Sequence, residues 1–438
     1  MEKKDLTKGK VSSVILMLAL PIMGSSVLQF TYNLVDMIFV GGLGADAIAS
    51  VGSSSFFIGL GYSINSLVVI GAGIKVAHAL GEKNEVEVKK YINAGVFINT
   101  IIAFIYALVL IFFGKYFIGF LNIDNKVVSR DGYLYLALSA PMLFFAFYNL
   151  LYIRIFNSFG NNKMALKISA TGIITNIILD PLFIYIFKLG VFGAALATLI
   201  SNIIMFIEFR VKFNENLRYD FKLGIEKNKV KEIISLGFPM SFQRVLFTLV
   251  NIILARIIAM FGSDAIAAQK IGLQIESVSF MIIGGLHGAI SSFSGQNFGA
   301  KKYERIKEGY RHTLKIGIVY SIFTAIAFIF IPDILVKIFV RDEATIIIAS
   351  GYLQIVAFSQ IFSTIEIVSN GLFTGIGMPK VPAIISIIFT ILRIPMALIF
   401  INYFRLNGIW ISIALSSIFK GMTAITIYRM KISKKESF

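Results

Sequence analysis

The chain of 438 residues contains no cysteine, which excludes disulfides and thiolate metal sites. Its three histidines, His78, His287 and His312, are scattered without the spacing of a ligand set. Charge is scarce: 15% of residues are Asp, Glu, Lys or Arg, against roughly 25% in an ordinary soluble domain. No polar stretch is long enough for a soluble domain, and no nucleophile stands with a base and an orienting partner, so catalysis lacks support. The glycine run at 41–44 lacks the following Lys-Ser or Lys-Thr of a phosphate loop and reads as a tight turn. What fills the chain instead is hydrocarbon. Hydrophobic residues make up 57%, Phe alone numbers 41, and apolar runs of about 20 residues, enough to cross about 30 Å of hydrocarbon, recur throughout.

Twelve membrane-spanning helices are predicted, at 14–41, 47–74, 91–114, 131–153, 165–187 and 191–210, then 231–261, 266–293, 313–331, 346–371, 382–403 and 408–428. The first follows the charged stretch MEKKDLTKGK and has no small-residue cleavage site, so it reads as a retained helix rather than a signal peptide. The net charge of +17 is distributed by topology. Most Lys and Arg fall in loops on the side of the termini, whereas the opposite loops hold only Lys115, Lys126, Arg130, Lys188, Lys337, Arg341 and Arg405. Positive residues mark the inside, so both termini are expected in the cytoplasm, with the chain in the cytoplasmic membrane. The basic balance then reflects topology and anionic lipid, not a nucleic-acid partner.

The two halves resemble each other. PIMGSSVLQFTYN at Pro21 aligns with PMSFQRVLFTLVN at Pro239, and GADAIA at Gly44 with GSDAIA at Gly262, both at an offset of 218 residues. The same offset pairs Gly81 and Lys83 with Gly299 and Lys301. Six helices separate the copies, an even number, so both enter the membrane in the same sense. The expected fold is an all-α integral membrane protein of twelve transmembrane helices in two six-helix bundles related as parallel repeats. Residues 1–210 form the expected amino-terminal lobe, 211–230 a basic cytoplasmic linker, and 231–438 the carboxy-terminal lobe. Two similar bundles are the architecture of alternating-access carriers, although duplicated six-helix units also occur in channels and scaffolds.

A carboxylate at the bilayer centre costs about 2.5–3.5 kcal/mol on insertion scales, so each one needs a reason. Four clear cases stand inside predicted helices, away from their ends: Asp36, Asp180, Glu276 and Glu366. At about 1.5 Å per residue from the outer turns, Asp36 lies about 8 Å deep, Thr198 about 10 Å and Asp180 about 12 Å. They share one level, and Asn176 is one turn from Asp180 on the same helix face. Two carboxylates, an amide and a hydroxyl can hold a proton near neutral pH or coordinate a hard monovalent cation. Alone, Asp180 beside Pro181 reads equally as a backbone partner at a proline kink, and Asn176 and Thr198 as interhelical hydrogen bonders. The second half does not repeat the set: Leu254 stands at the equivalent of Asp36, and Ile394 precedes Pro395 where Asp180 precedes Pro181. Glu276 and Glu366 are secondary candidates for substrate or ion coupling, open to a structural pairing with Arg244, Arg256 or Arg393. Lys75, Lys270 and Lys420 read as snorkelling or lining a wet cavity.

These residues resemble the multidrug and toxic compound extrusion (MATE) family. The resemblance covers nearly the whole chain, through LPIMGSSVLQFTYNLVDMIFVGGLGADAIASVG, GAGIKVAHALGEKN, RIFNSFGNNKMALKISATGIITNIILDPLFIY, GVFGAALATLIS and SFSGQNFGAKK in order. It implies export of small organic cations and amphipathic toxins in exchange for protons or sodium ions, with no other cofactor. In relatives resembling this chain the amino-terminal lobe carries the coupling site, and its residues match Asp36, Asn176, Asp180 and Thr198. Pro21 and Pro181 are the implied hinges, and a monomer is expected. Another branch carries carboxylates at positions matching Phe247 and Ser363, which this sequence lacks. The alternative is a lipid-linked saccharide flippase of related fold, kept open by Arg244, Arg256, Lys270 and Arg393.

Overall fold

The computed structural model describes residues 4–120, 125–212, 219–434 and 436, and among them every regular element is a helix. The first half comprises α1 (Val11–Gly41), α2 (Ala45–Gly81), α3 (Glu85–Phe120), α4 (Lys126–Ser158), α5 (Asn162–Pro181) and α6 (Gly190–Lys212). The second comprises α7 (Lys227–Ala259), α8 (Ser263–Gly299), α9 (Tyr303–Phe330), the short α10 (Pro332–Lys337), α11 (Glu343–Ala357), α12 (Gln360–Gly375), α13 (Lys380–Ile391), α14 (Arg393–Phe404) and α15 (Leu406–Tyr428). Eleven helical stretches among the described residues are long and apolar enough to cross a membrane, and α11 with α12 makes a twelfth, bent by 59°. Large apolar side chains such as Phe112 and Phe323 stay exposed on their helices, as a lipid-facing surface requires.

The span predicted as one helix over 346–371 is therefore broken. At the break the Ser359 hydroxyl donates back to Val356 O at 2.8 Å, a local bond that competes with the helical ladder. The repeat is written into the backbone of both halves. Gly44 and Gly262 open α2 and α8 at φ 103° and 102°, and Lys83 and Lys301 close them at φ 57° and 56°. A lysine at positive φ is uncommon, so its recurrence at the same offset reports a shared chain path.

Contacts divide the chain into two compact units: Met1–Asp5 with Gly24–Ser241, and Leu6–Met23 with Phe242–Phe438. Each half thus lends the start of its first helix to the other unit, a division that differs from the expected lobes at 6–23 and 231–241. Close helix approach accounts for it. In the first unit a Cβ on Gly237 of α7 would lie 1.7 Å from Leu67 O of α2, and one on Gly71 would lie 2.1 Å from Ile233 O. Small residues let these backbones meet. In the second unit the corresponding crossing of α1 and α8 is built on buried Ala19 and Ala289. There a Cβ on Gly285 would lie 2.3 Å from the Met23 side chain.

Polar bonds strengthen both attachments. Lys75, expected to snorkel or line a wet cavity, instead pairs with Glu232 of α7. In the second unit Gln296 accepts from Leu6 N–H at 3.0 Å, and Lys302 donates to Thr7 O at 2.8 Å. The expected linker lies partly outside the described residues, at 213–218; its end already belongs to α7, and Asn93 of α3 donates to Asp220 O at 2.8 Å.

Candidate functional site

In the first unit α1 supplies Asp36, α5 supplies Asn176 and Asp180, and α6 supplies Thr198. Asn176 and Asp180 are four residues apart, on one face of α5. With its amide nitrogen toward the carboxylate, Asn176 donates to Asp180 Oδ2 at 2.8 Å, and its amide oxygen accepts from Thr198 N–H at 3.2 Å. The reverse orientation would set an amide oxygen against a carboxylate oxygen, acceptor against acceptor. The Thr198 hydroxyl turns back to Ala194 O at 2.9 Å. Asp180 is fully buried, and its Oδ1 has no hydrogen-bond partner among the described residues. Asp36 is half-buried and within electrostatic reach of Asp180. No Lys or Arg among the described residues pairs with either carboxylate. One buried and one half-buried carboxyl group thus stand near each other with no paired cation among the described residues.

Local structure holds the two aspartates near one another. Pro181 has no N–H to continue the α-helical ladder, and the chain passes after it into a wider π-helical turn at Leu182–Ile186. Tyr185 on that turn donates to Phe39 O of α1 at 2.6 Å, and a Cβ on Gly42 would lie 2.3 Å from its hydroxyl. Two tyrosines complete the surroundings. Tyr32 of α1 and Tyr135 of α4 both lie within electrostatic reach of the two carboxylates. Sequence reading missed both. Tyr32 carries a signal, since it precedes Asp36 by four residues on one helix face; Tyr135 carries none.

The second unit is built differently. Leu254, at the Asp36 equivalent, lies buried in an apolar cluster with Val250, Ile258 and Trp410. Glu276 of α8 makes no ion pair with an arginine; it accepts from the Tyr352 hydroxyl of α11 and from Gln360 Nε2 of α12 at 3.0 Å. It thereby spans the α11–α12 break. Arg393 is buried and donates to Ser416 and Ser417 at 2.9 and 3.4 Å. Glu366 stands 3.9 Å from Lys420 and within electrostatic reach of Arg393. Arg244, Arg256 and Lys270 are exposed on the unit's surface. Phe247 is exposed and Ser363 buried.

A sequence profile of the MatE family matches residues 21–182 and 239–399. The chain belongs to the MatE family. The two matches begin at Pro21 and Pro239, so this MatE chain holds two copies of the family unit at the offset its own sequence displays. It is 26% identical to the probable multidrug resistance protein NorM of Thermotoga maritima, over 97% of this chain and 94% of that protein. It is 25% identical to the multidrug export protein MepA of Staphylococcus aureus, over 96% of this chain and 94% of that one. Among solved structures, a MATE protein in complex with MaL6 superposes with a TM-score of 0.93 at 21% identity, covering 99% of both chains. A MOP superfamily transporter from Pyrococcus furiosus gives 0.92 at 20% identity, again over 99% of both. At these identities the structural likeness is one of fold.

This MatE chain is a multi-pass membrane transporter rather than an enzyme. Its duplication shows in the turns that bound α2 and α8 but not in buried charge. The first copy brings Asp36 and Asp180 together with no paired cation among the described residues, while the second sets Glu276 and Glu366 near the buried cations Arg393 and Lys420.

Proposed function

We propose that the chain is a secondary active exporter of organic cations and amphipathic toxins, driven by inward exchange of protons or sodium ions through alternating access. It acts as a monomer in the cytoplasmic membrane with both termini inside. The observation that carries this reading is the pair of buried Asp180 and half-buried Asp36, within electrostatic reach of each other and without a paired cation among the described residues. Relatives named for multidrug resistance and multidrug export support the substrate class.

Asp36, Asn176, Asp180 and Thr198 form the coupling-cation site. Ionised, the two carboxylates repel each other and carry the cost of burial; a proton or a sodium ion removes both penalties. The unpaired Asp180 Oδ1 and the Asp36 oxygens are hard acceptors of the kind either ion needs. Neutralisation changes which packing of α1 and α5 is favoured, with Pro21 and Pro181 as the points of bending. Substrate and ion then compete through conformational free energy rather than for one seat. The flippase alternative loses ground because the buried cations Arg393 and Lys420 stand beside Glu366 and Glu276 and form no purely cationic lining.

Transport of a cationic dye in proteoliposomes, under separately imposed pH and sodium gradients, tests the proposal. Wild-type protein is expected to expel dye under one of the two gradients, and Asp36→Asn and Asp180→Asn are expected to lose that coupling. Dye movement that responds to neither gradient, or wild-type rates in both variants, refutes the reading.

A further inference from the structure

Four charged side chains of the second unit, Glu276, Glu366, Arg393 and Lys420, are not equally satisfied. Glu276 accepts two hydrogen bonds and Arg393 donates two. Glu366 and Lys420 make no hydrogen bond among the described residues, although their side chains are only 12% and 4% exposed. They face each other at 3.9 Å, beyond hydrogen-bond length. A buried ion pair offsets its desolvation only when geometry is close and the remaining donors are bonded. By that standard Glu276 and Arg393 are structural groups, and Glu366 with Lys420 is a pair held short of engagement.

Their surroundings fit a cationic guest. The Lys420 ammonium lies 6.0 Å from the ring centroid of Phe247, and the Arg393 guanidinium lies 5.8 Å from the same ring. The Lys420 ammonium is thus within reach of both a ring face and a carboxylate, the two kinds of group that bind an organic ammonium. Phe247 is 38% exposed, so its ring is not closed over by the unit.

We propose that Glu366 receives the charged centre of a lipophilic organic cation, that Phe247 supplies a face of this subsite, and that Lys420 is a tethered ammonium that occupies it between substrates. The inference rests on the cation-exporter reading above. With Lys420 seated, Glu366 is never left as an uncompensated carboxylate in a low-dielectric site. The guest competes with that ammonium, which weakens binding and speeds release.

Tetraphenylphosphonium, a lipophilic monocation without hydrogen-bond donors, is the probe, measured by equilibrium binding to the full-length chain in nanodiscs. Lys420→Met is expected to bind about tenfold tighter and to turn over more slowly, while Lys420→Arg binds as wild type. Glu366→Gln is expected to bind about tenfold more weakly and to abolish the gain from Lys420→Met in the double variant. Phe247→Leu weakens binding on its own, which keeps the proposal testable if a Lys420 variant fails to fold. Unchanged affinity in folded Lys420→Met or in Phe247→Leu, or a gain that survives Glu366→Gln, overturns the subsite. If wild type binds the probe and an ion gradient drives its export, those results leave the exporter reading standing. If wild type does not bind the probe, the subsite falls, and gradient-driven dye transport decides the exporter reading separately.

Discussion

Glu276→Ala would leave two buried donors, the Tyr352 hydroxyl and Gln360 Nε2, without their acceptor. Each orphaned buried donor costs about 1–3 kcal/mol, and removing a buried carboxylate gives back part of that through relieved desolvation. The expected loss is about 2–4 kcal/mol, concentrated at the α11–α12 break. Glu276→Gln behaves differently. The new amide oxygen still accepts from Tyr352, and the new amide nitrogen can donate to Gln360 Oε1, an acceptor that has no partner in the native chain. That variant is expected to lose less than about 1 kcal/mol. The molecule carries its own reporter: Trp410 is the single tryptophan, fully buried, and meets Tyr352 edge-on at 5.0 Å and 89°. Its emission during denaturation in mixed micelles should show an early midpoint and a red-shifted native spectrum for Glu276→Ala, and near-native values for Glu276→Gln. Equal midpoints for the two variants, or a native-like alanine variant, would refute the bracing role.

Gly237→Ala places a methyl group 1.7 Å from Leu67 O, a backbone atom that cannot turn aside. It should cost about 3 kcal/mol or more by overpacking, while Gly59→Ala, which meets nothing within 4 Å, should be neutral or slightly stabilising; thermal unfolding of the pair compares them directly. Asp180→Asn keeps an oxygen for the Asn176 donor, so the protein should fold with a native Trp410 spectrum yet lose ion-driven transport. At the cap of α11, the Thr345 backbone N–H at 2.8 Å holds the Asp342 carboxyl below the usual carboxylate range. Its ionised form therefore stabilises the helix above about pH 4, and that contribution disappears as pH falls through the depressed value. Asp342→Ala should lower the unfolding temperature at neutral pH, and the difference from wild type should vanish in strong acid.

Much of this was legible from residue order. Twelve apolar runs, the 218-residue offset and the single occurrence of the aspartates are one-dimensional facts. Depth along a helix is nearly so, because a fixed rise per residue converts position into distance. That is why Asn176, Asp180 and Thr198 were expected at adjoining levels. The pairings of the second unit were not legible. Glu276, Glu366, Arg393 and Lys420 lie on four helices, and which of them meet depends on helix rotation and on the break at 358–359. Apolar periodicity does not report that break, because the residues on both sides of it are equally hydrophobic. Tyr135 escaped notice for the same reason, as an aromatic in a run of apolar neighbours.

The sequence by itself determined the membrane class, the duplication and the cost of each buried charge, since lipid imposes those terms on every residue separately. Only the tertiary structure decided which charges are paired. It bound Glu276 to neutral donors, left Glu366 and Lys420 facing each other without a bond, and passed the starts of α1 and α7 to opposite units. Those outcomes depend on how closely helices approach, and that is set by glycines and alanines whose effect exists only when another backbone arrives.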